Sequence, residues 1–370
     1  MGHPEIVNHT PFVCEALQTS DETARTVVVM VIKATFDIRP EITEPTLAEE
    51  QLPVNLSGEY WAEPDTSPYK FEPETAFFKP ATDVVLVGHA YAARANRAEV
   101  DVQLAVGGLS KTLRVFGDRL WDKGVTGIAA TAPARFESLP IRYDRAYGGW
   151  DLSNPAEPVC DRRNPLGRGF RRKGAKFQAG SLLPNIEDPA HLLSSYDGRS
   201  VPAGCGFTHG DWEPRAALSG TYDDAWLQRR SPWLPEGFRR SFFNAASPGL
   251  IAPGYLRGDE TVMAQGVRPD GARLLARLPA LRSPECIFKR RGSPPMAAAT
   301  SFDTLIIDAD AQQLQLLWRC CVALPDGLQG LAAIEISCAN APAAKQKPVL
   351  ARGNVIPFRG ASPANRVRAR

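Results

Sequence analysis

Thirty glycines and 32 prolines are spread along a chain of 370 residues, and this punctuation limits the possible folds more than any other feature. Proline lacks the amide hydrogen that a helix or an inner strand needs, and its ring clashes with the preceding helical turn. Long helical bundles and coiled coils are thereby excluded. What remains is a chain of short elements joined by many turns. Hydrophobic residues at 44% and charged residues at 23% are ordinary globular values, so the chain can bury a sizeable core and is neither disordered nor fibrous.

Where apolar residues gather, they do so with strand periodicity. The run from Thr26 to Asp37 is β-branched and apolar, a second run covers Asp83 to Ala92, and Val100, Val102, Leu104 and Val106 alternate with more polar neighbours. Gly107-Gly108 then offers two positions for positive φ before Leu113 to Phe116, which predicts a hairpin. From Asp118 to about Pro295 the chain is crowded with Gly, Pro, Trp and Arg. It reads as loops and short strands, with short helices around Tyr222–Arg229 and Glu236–Ala246 and Asp223 as a helix cap. Thr304–Ile307, Leu314–Val322 and Ala332–Cys338 predict a closing antiparallel meander. The expected fold is mainly β, with antiparallel sheets in a sandwich-like body, long Gly/Pro/Trp-rich loops and a few short helices. Residues 1–340 are expected to form one continuous unit, with a β half to about 117, an irregular middle over 118–295 and the meander over 296–340. The segment 341–370 carries basic residues and no acidic one, and reads as a flexible tail.

A net charge of +2 gives no whole-surface attraction to nucleic acid or anionic lipid. The apolar run Val27–Ile32 stops at Lys33, far short of the roughly 18 residues of a membrane helix. The first residues lack a signal-peptide pattern, and seven cysteines without CxxC spacing suit reduced thiols; a cytoplasmic location is the expectation. Five scattered histidines suggest no metal site, and no cofactor motif is present: Gly167, Gly169 and Gly174 do not make a dinucleotide fingerprint. The basic residues from Arg162 to Lys176 suit a solvated loop or an acidic protein partner better than a phosphate backbone.

The remaining acid/base candidate is His209, Asp211, Glu213 and Arg215, which strand periodicity would place on one face. That pattern describes either a structural ladder of ion pairs or, as a rival function, a hydrolase with His209, Asp211 and Glu213 as its acid/base group. Candidate binding residues are the tryptophans and tyrosines of the loop-rich middle and the arginines beside them: Arg119, Trp121, Arg145, Tyr147, Trp150, Trp212, Arg215, Tyr222, Trp226 and Trp233. Guanidinium groups, including that of Arg229, could stack on the indole faces.

An ordered series of blocks carries a resemblance. It includes Lys79-Pro80-Ala81-Thr82-Asp83-Val84, Val115 to Trp121, Pro140 to Gly149 and Asn164 to Phe170. Leu183 to Glu187, Trp212-Glu213-Pro214-Arg215, Gly220 to Trp226, Pro232 to Phe238 and Phe242 to Ala246 follow in the same order. Together they resemble a bacterial family first catalogued as a domain of unknown function and since linked to type VI secretion effector adaptors. Tyr147 stands where that family usually has phenylalanine, and Cys205–Thr208 follows its block only loosely. The resemblance implies a non-catalytic adaptor or chaperone that binds a toxin effector and helps load it onto a VgrG-type spike, sometimes tipped by a PAAR protein. It supplies no catalytic residues.

Overall fold

The computed structural model describes residues 3–39, 42–92, 97–125, 127–343 and 354–355. Strands take up 40% of the chain and helices 6%. The longest strand, Thr26–Arg39, is buried over nearly all its length because its neighbours cover both its edges and both its faces. Val13–Ser20 pairs with it antiparallel on one side (Val13 opposite Lys33), and Gln313–Ala323 on the other (Trp318 opposite Ile32). Ser301–Asp308 and then Asp83–Val87 extend this first sheet, the last of them in parallel.

Lys33 does not end the apolar strand. Its ammonium is buried and meets Glu74 Oε1 at 2.7 Å, and the Glu74 carboxylate also accepts from the Asn55 amide at 2.7 Å. An ion pair thus lets one charged residue pass through the core.

The expected hairpin is present, Glu99–Val106 against Leu109–Phe116, with Leu109 opposite Val106. Gly107 alone takes positive φ (+53°), so the turn uses one left-handed position where two were expected. The second sheet grows on this hairpin by Thr261–Gln265, Leu274–Arg277 and Ile186–Glu187. The predicted strand Asp83–Ala92 divides at Gly88, after which His89–Tyr91 pairs with Ser138–Pro140.

The closing meander is not formed. Ser301–Asp308 and Gln313–Ala323 make a hairpin, but a 3-10 turn over Gly327–Gly330 redirects the chain. Leu331–Ser337 then enters a third sheet, parallel to Glu5–Asn8 and antiparallel to Glu285–Arg290, with Met296–Ala299 beyond. In the middle, the helix Asp224–Arg229 is capped by Asp223, whose side chain accepts from the Trp226 amide, as the sequence leads one to expect. The second expected helix shrinks to a 3-10 turn over Arg240–Phe243. Of the basic tail, Asn354 and Val355 pair with Leu17 and Gln18; the rest of the expected flexible segment lies outside the described residues, apart from 341–343. One apolar core runs through all three sheets, from Ile6 to Ile336.

Breaking the Lys33–Glu74 pair from one side leaves a buried charge unmatched, whereas replacing both partners removes the problem. Lys33→Met and Glu74→Leu should each cost about 3–5 kcal/mol in urea unfolding. The double variant should recover much of that loss; additive losses would show that the pair does not act as a unit.

Candidate functional site

The structure overturns the expectation that His209, Asp211, Glu213 and Arg215 share one face of a strand. The segment is a series of turns, and its side chains diverge. His209 stacks on Tyr69 with ring centroids 5.1 Å apart, and its Nδ1 lies 3.6 Å from the exposed Asp211 carboxylate. Glu213 turns to Arg162 at 3.3 Å. Arg215 points inward, where Nη2 meets Glu72 Oε1 at 2.7 Å, Nε donates to Phe242 O at 2.9 Å, Nη1 donates to Thr208 O, and the guanidinium lies over the Phe242 ring.

Beside these turns lies a cleft of about 560 Å³. Tyr143, Ala203, Asn244 and Ala246, all buried, line it, along with Leu218, Pro202, Pro214, Pro248 and Ile251. The polar groups among them are already bonded within the fold. Tyr143 OH and Ser247 Oγ are 2.8 Å apart, and burial pushes the phenol well above its ordinary pKa. Asn244 Nδ2 donates to Ala81 O at 2.8 Å and to Asp83 Oδ1 at 2.9 Å. Charges stand along the walls: Lys111, Arg163, Asp188, Glu213 and Arg215.

Three of the sequence blocks, around Tyr143, Glu213–Arg215 and Asn244–Ala246, converge on this cleft although up to about a hundred residues separate them. A fourth braces the first. Asn164 Nδ2 donates to Tyr143 O at 2.7 Å and to Tyr147 O at 3.0 Å, and a Cβ on Gly148 (φ +146°) would lie 2.2 Å from Asn164 O. Only glycine fits that approach. A family model described as an uncharacterized protein conserved in bacteria (DUF2169) matches residues 23–319, a span that includes every wall of the cleft. The chain belongs to the DUF2169 family. Among curated proteins and among solved structures, no significant match is found.

Of the binding candidates, only Arg215 lines the cleft, with Trp212 behind its wall, 5% exposed and edge-on to Tyr143 at 5.5 Å. Arg119 is buried against Glu187 and Pro184 O and stacks on Phe116 at 3.8 Å. Trp121 and Tyr147 fill a small second core with Phe170, Leu183, Leu193 and Tyr196. Arg145 donates to Asn185 Oδ1. Trp150 (40% exposed) lies apart, while Tyr222, Trp226 and Trp233 form an outer cluster in which Tyr222 meets Trp226 edge-on at 4.8 Å and Trp226 Nε1 donates to Trp233 O. The expected stacking of arginine on tryptophan is not observed among the described residues; the guanidiniums lie over Phe and Tyr rings. In the basic segment, Arg163 holds Asp161, Arg168 bonds Asp144 O and Asn185, and Arg172 bonds Glu157 O, so these charges serve the loop itself. No cluster of three or more metal-ligating side chains occurs among the described residues, nor any helix long and apolar enough to cross a membrane.

Sequence reasoning missed Lys111, Tyr143 and Asn244 as cleft residues, because none stands near the others in sequence. Two outcomes follow from the geometry. Trp121→Ala and Trp212→Ala should each cost about 3–5 kcal/mol in denaturant unfolding, as large buried side chains do, while Trp233→Ala should leave the melting temperature unchanged. Burial holds the His209 imidazole below its ordinary value of 6.5, an effect that the nearby Asp211 carboxylate opposes. The unfolded chain then takes up this proton first, so stability is full above about pH 6.5 and declines as the pH falls below it. In His209→Phe, a pH series of melting temperatures should show a shallower decline over that range.

Proposed function

We propose that the protein is a non-catalytic adaptor that holds a protein partner in the cleft, and specifically an adaptor that binds a type VI secretion toxin effector and helps load it onto a VgrG-type or PAAR-tipped spike. The observation that carries this reading is the convergence of distant sequence blocks on a preformed, mainly apolar cleft. The polar groups of its floor are tied into the fold, where they brace its shape. A rigid site loses little order on binding, which suits a protein that must engage and later release its partner. The secretion assignment rests on the block resemblance. It agrees with a fold in which Tyr143, Arg215 and Asn244 act as struts and none is held ready for proton transfer.

Ile251 tests the reading because it lines the cleft and is already 37% exposed, so a charge there leaves the core intact. Tagged wild-type protein should co-purify with a toxin encoded beside its gene. Ile251→Arg should lose that toxin while keeping its melting temperature, and deletion of the gene should abolish the toxin's secretion. Undiminished co-purification with Ile251→Arg would remove the cleft from the account. Turnover of an ester or glycoside by the purified protein, abolished by Asp211→Asn, would replace the adaptor with a hydrolase.

A further inference from the structure

The charges along the cleft do not balance in pairs. Arg215 is matched by Glu72 at 2.7 Å, and Arg163 by Asp161 at 2.6 Å. On the acidic side, Glu213 is taken by Arg162, and Asp188 by His191 at 3.0 Å together with the Ala190 amide at 2.9 Å. Lys111 differs. Its Nζ donates to Pro248 O at 2.7 Å, and its acidic neighbour in the cleft, Asp188, makes no direct ion pair with it but acts on it from a distance, its carboxylate being held by His191 and the Ala190 amide. The fully buried lysines of this protein have a carboxylate at 2.7 Å, Lys33 from Glu74 and Lys79 from Asp83, whereas half-buried Lys111 has none in direct contact.

An ammonium has three donors and no acceptor, so Lys111 can give at least one more hydrogen bond. Lys111 is half-buried, and burial lowers the pKa of its ammonium from the ordinary lysine value, an effect that Cys205 and the Asp188 carboxylate oppose. The ammonium therefore keeps donors to spare at the cleft wall, and a carboxylate placed there would gain a charge-assisted hydrogen bond. The neighbouring surface is apolar, with Pro248, Ala246, Ile251 and Leu218 lining the same cleft. An apolar groove beside one cation with donors to spare favours a ligand that is apolar with a single negative charge.

Resting on the adaptor reading, we infer that the cleft receives an internal, extended segment of the protein partner in which an aspartate or glutamate side chain pairs with Lys111 and flanking apolar side chains lie over Ala246, Pro248 and Ile251. A chain terminus is the less suitable source of the carboxylate. Terminal carboxylates are captured by nests of backbone N–H groups, whereas Lys111 offers one flexible point charge that suits a side chain.

Random nonapeptides flanked on both sides by carrier protein provide the probe, selected on the full-length protein. Selected sequences should carry one Asp or Glu beside apolar residues. A selected peptide, synthesised with its C-terminus amidated, should bind Lys111→Met at least about tenfold more weakly than wild type, and Lys111→Arg within a few-fold of wild type. Changing the peptide's acid to its amide should lose a similar factor for wild type and almost nothing further for Lys111→Met. All three proteins should melt alike, since Lys111 lies at a wall and not in the core. Equal losses in wild type and Lys111→Met on removing the acid would overturn the pairing, as would selected peptides without an acidic residue. Preferential binding of free C-terminal peptides would also overturn it, and so would oleate displacing the peptide at lower concentration. Ile251→Arg separates the two levels: if it abolishes binding while Lys111→Met binds as tightly as wild type, the pairing falls and the cleft stands. If peptides bind Ile251→Arg unchanged, the cleft itself is the wrong place.

Discussion

Asp83 is the residue on which the arrangement around the cleft depends. Fully buried at the start of the outermost strand of the first sheet, it accepts from Lys79 Nζ at 2.7 Å, from the Ala245 amide at 2.9 Å and from Asn244 Nδ2 at 2.9 Å. Lys79 continues to Thr304 Oγ1 at 3.1 Å, Thr304 donates to Asp303, and Asp303 holds Arg319 Nε at 2.8 Å. Arg319 in turn donates to Ala76 O. Two acidic and two basic side chains thus share one buried network that ties the sheet to the segment carrying the cleft floor. Such a network is costly when half satisfied and rigid when complete. Asn244 stays where it is because Asp83 cannot do without it.

The same logic explains the wealth of arginine in the irregular middle. Loops packed inside a protein expose carbonyls that no strand ladder can satisfy. Guanidiniums fill that need: Arg119 reaches Pro184 O, Arg215 reaches Phe242 O and Thr208 O, and Arg230 reaches Leu234 O and Glu22 O. Five donors in a fixed plane suit this task, and the flat faces pack on Phe and Tyr rings. Arginine and tryptophan blocks that look like a binding surface in sequence are in large part the internal scaffold of the loops. The cleft is what the scaffold leaves open.

That division has a functional consequence. Tyr143, Asn244 and Arg215 are committed to the fold, and on the adaptor reading proposed above the cleft would offer a partner mainly apolar surfaces and Lys111. The aromatic cluster of Tyr222, Trp226 and Trp233 stands apart on its own short helix and loop.

Local rules carried much of the strand pattern. The apolar run from Thr26, the alternation up to Val106 with its glycine turn, and the cap at Asp223 depend on neighbours within a few residues, so the chain alone determined them. The alternation in Glu285–Arg290, with Cys286 and Phe288 inward and Ile287 outward, was present too, yet surrounding glycines and prolines hid it. Other features belong to contacts between distant segments. The strand through Lys33 was legible from Thr26 to Asp37, but the burial of its charge was not, because the partner Glu74 stands 41 residues away. Leu331–Ser337 leaves the expected meander because Gln313–Ala323, the strand before it, is already paired on both sides, and it pairs with Glu5–Asn8 instead. The tryptophans became core or surface according to which loops packed over them, and the place of Lys111 on the cleft wall emerged only when the hairpin met Pro248. Periodicity and capping are short-range and are written along the chain; burial, charge pairing and the shape of a cleft are sums over segments that only folding brings together.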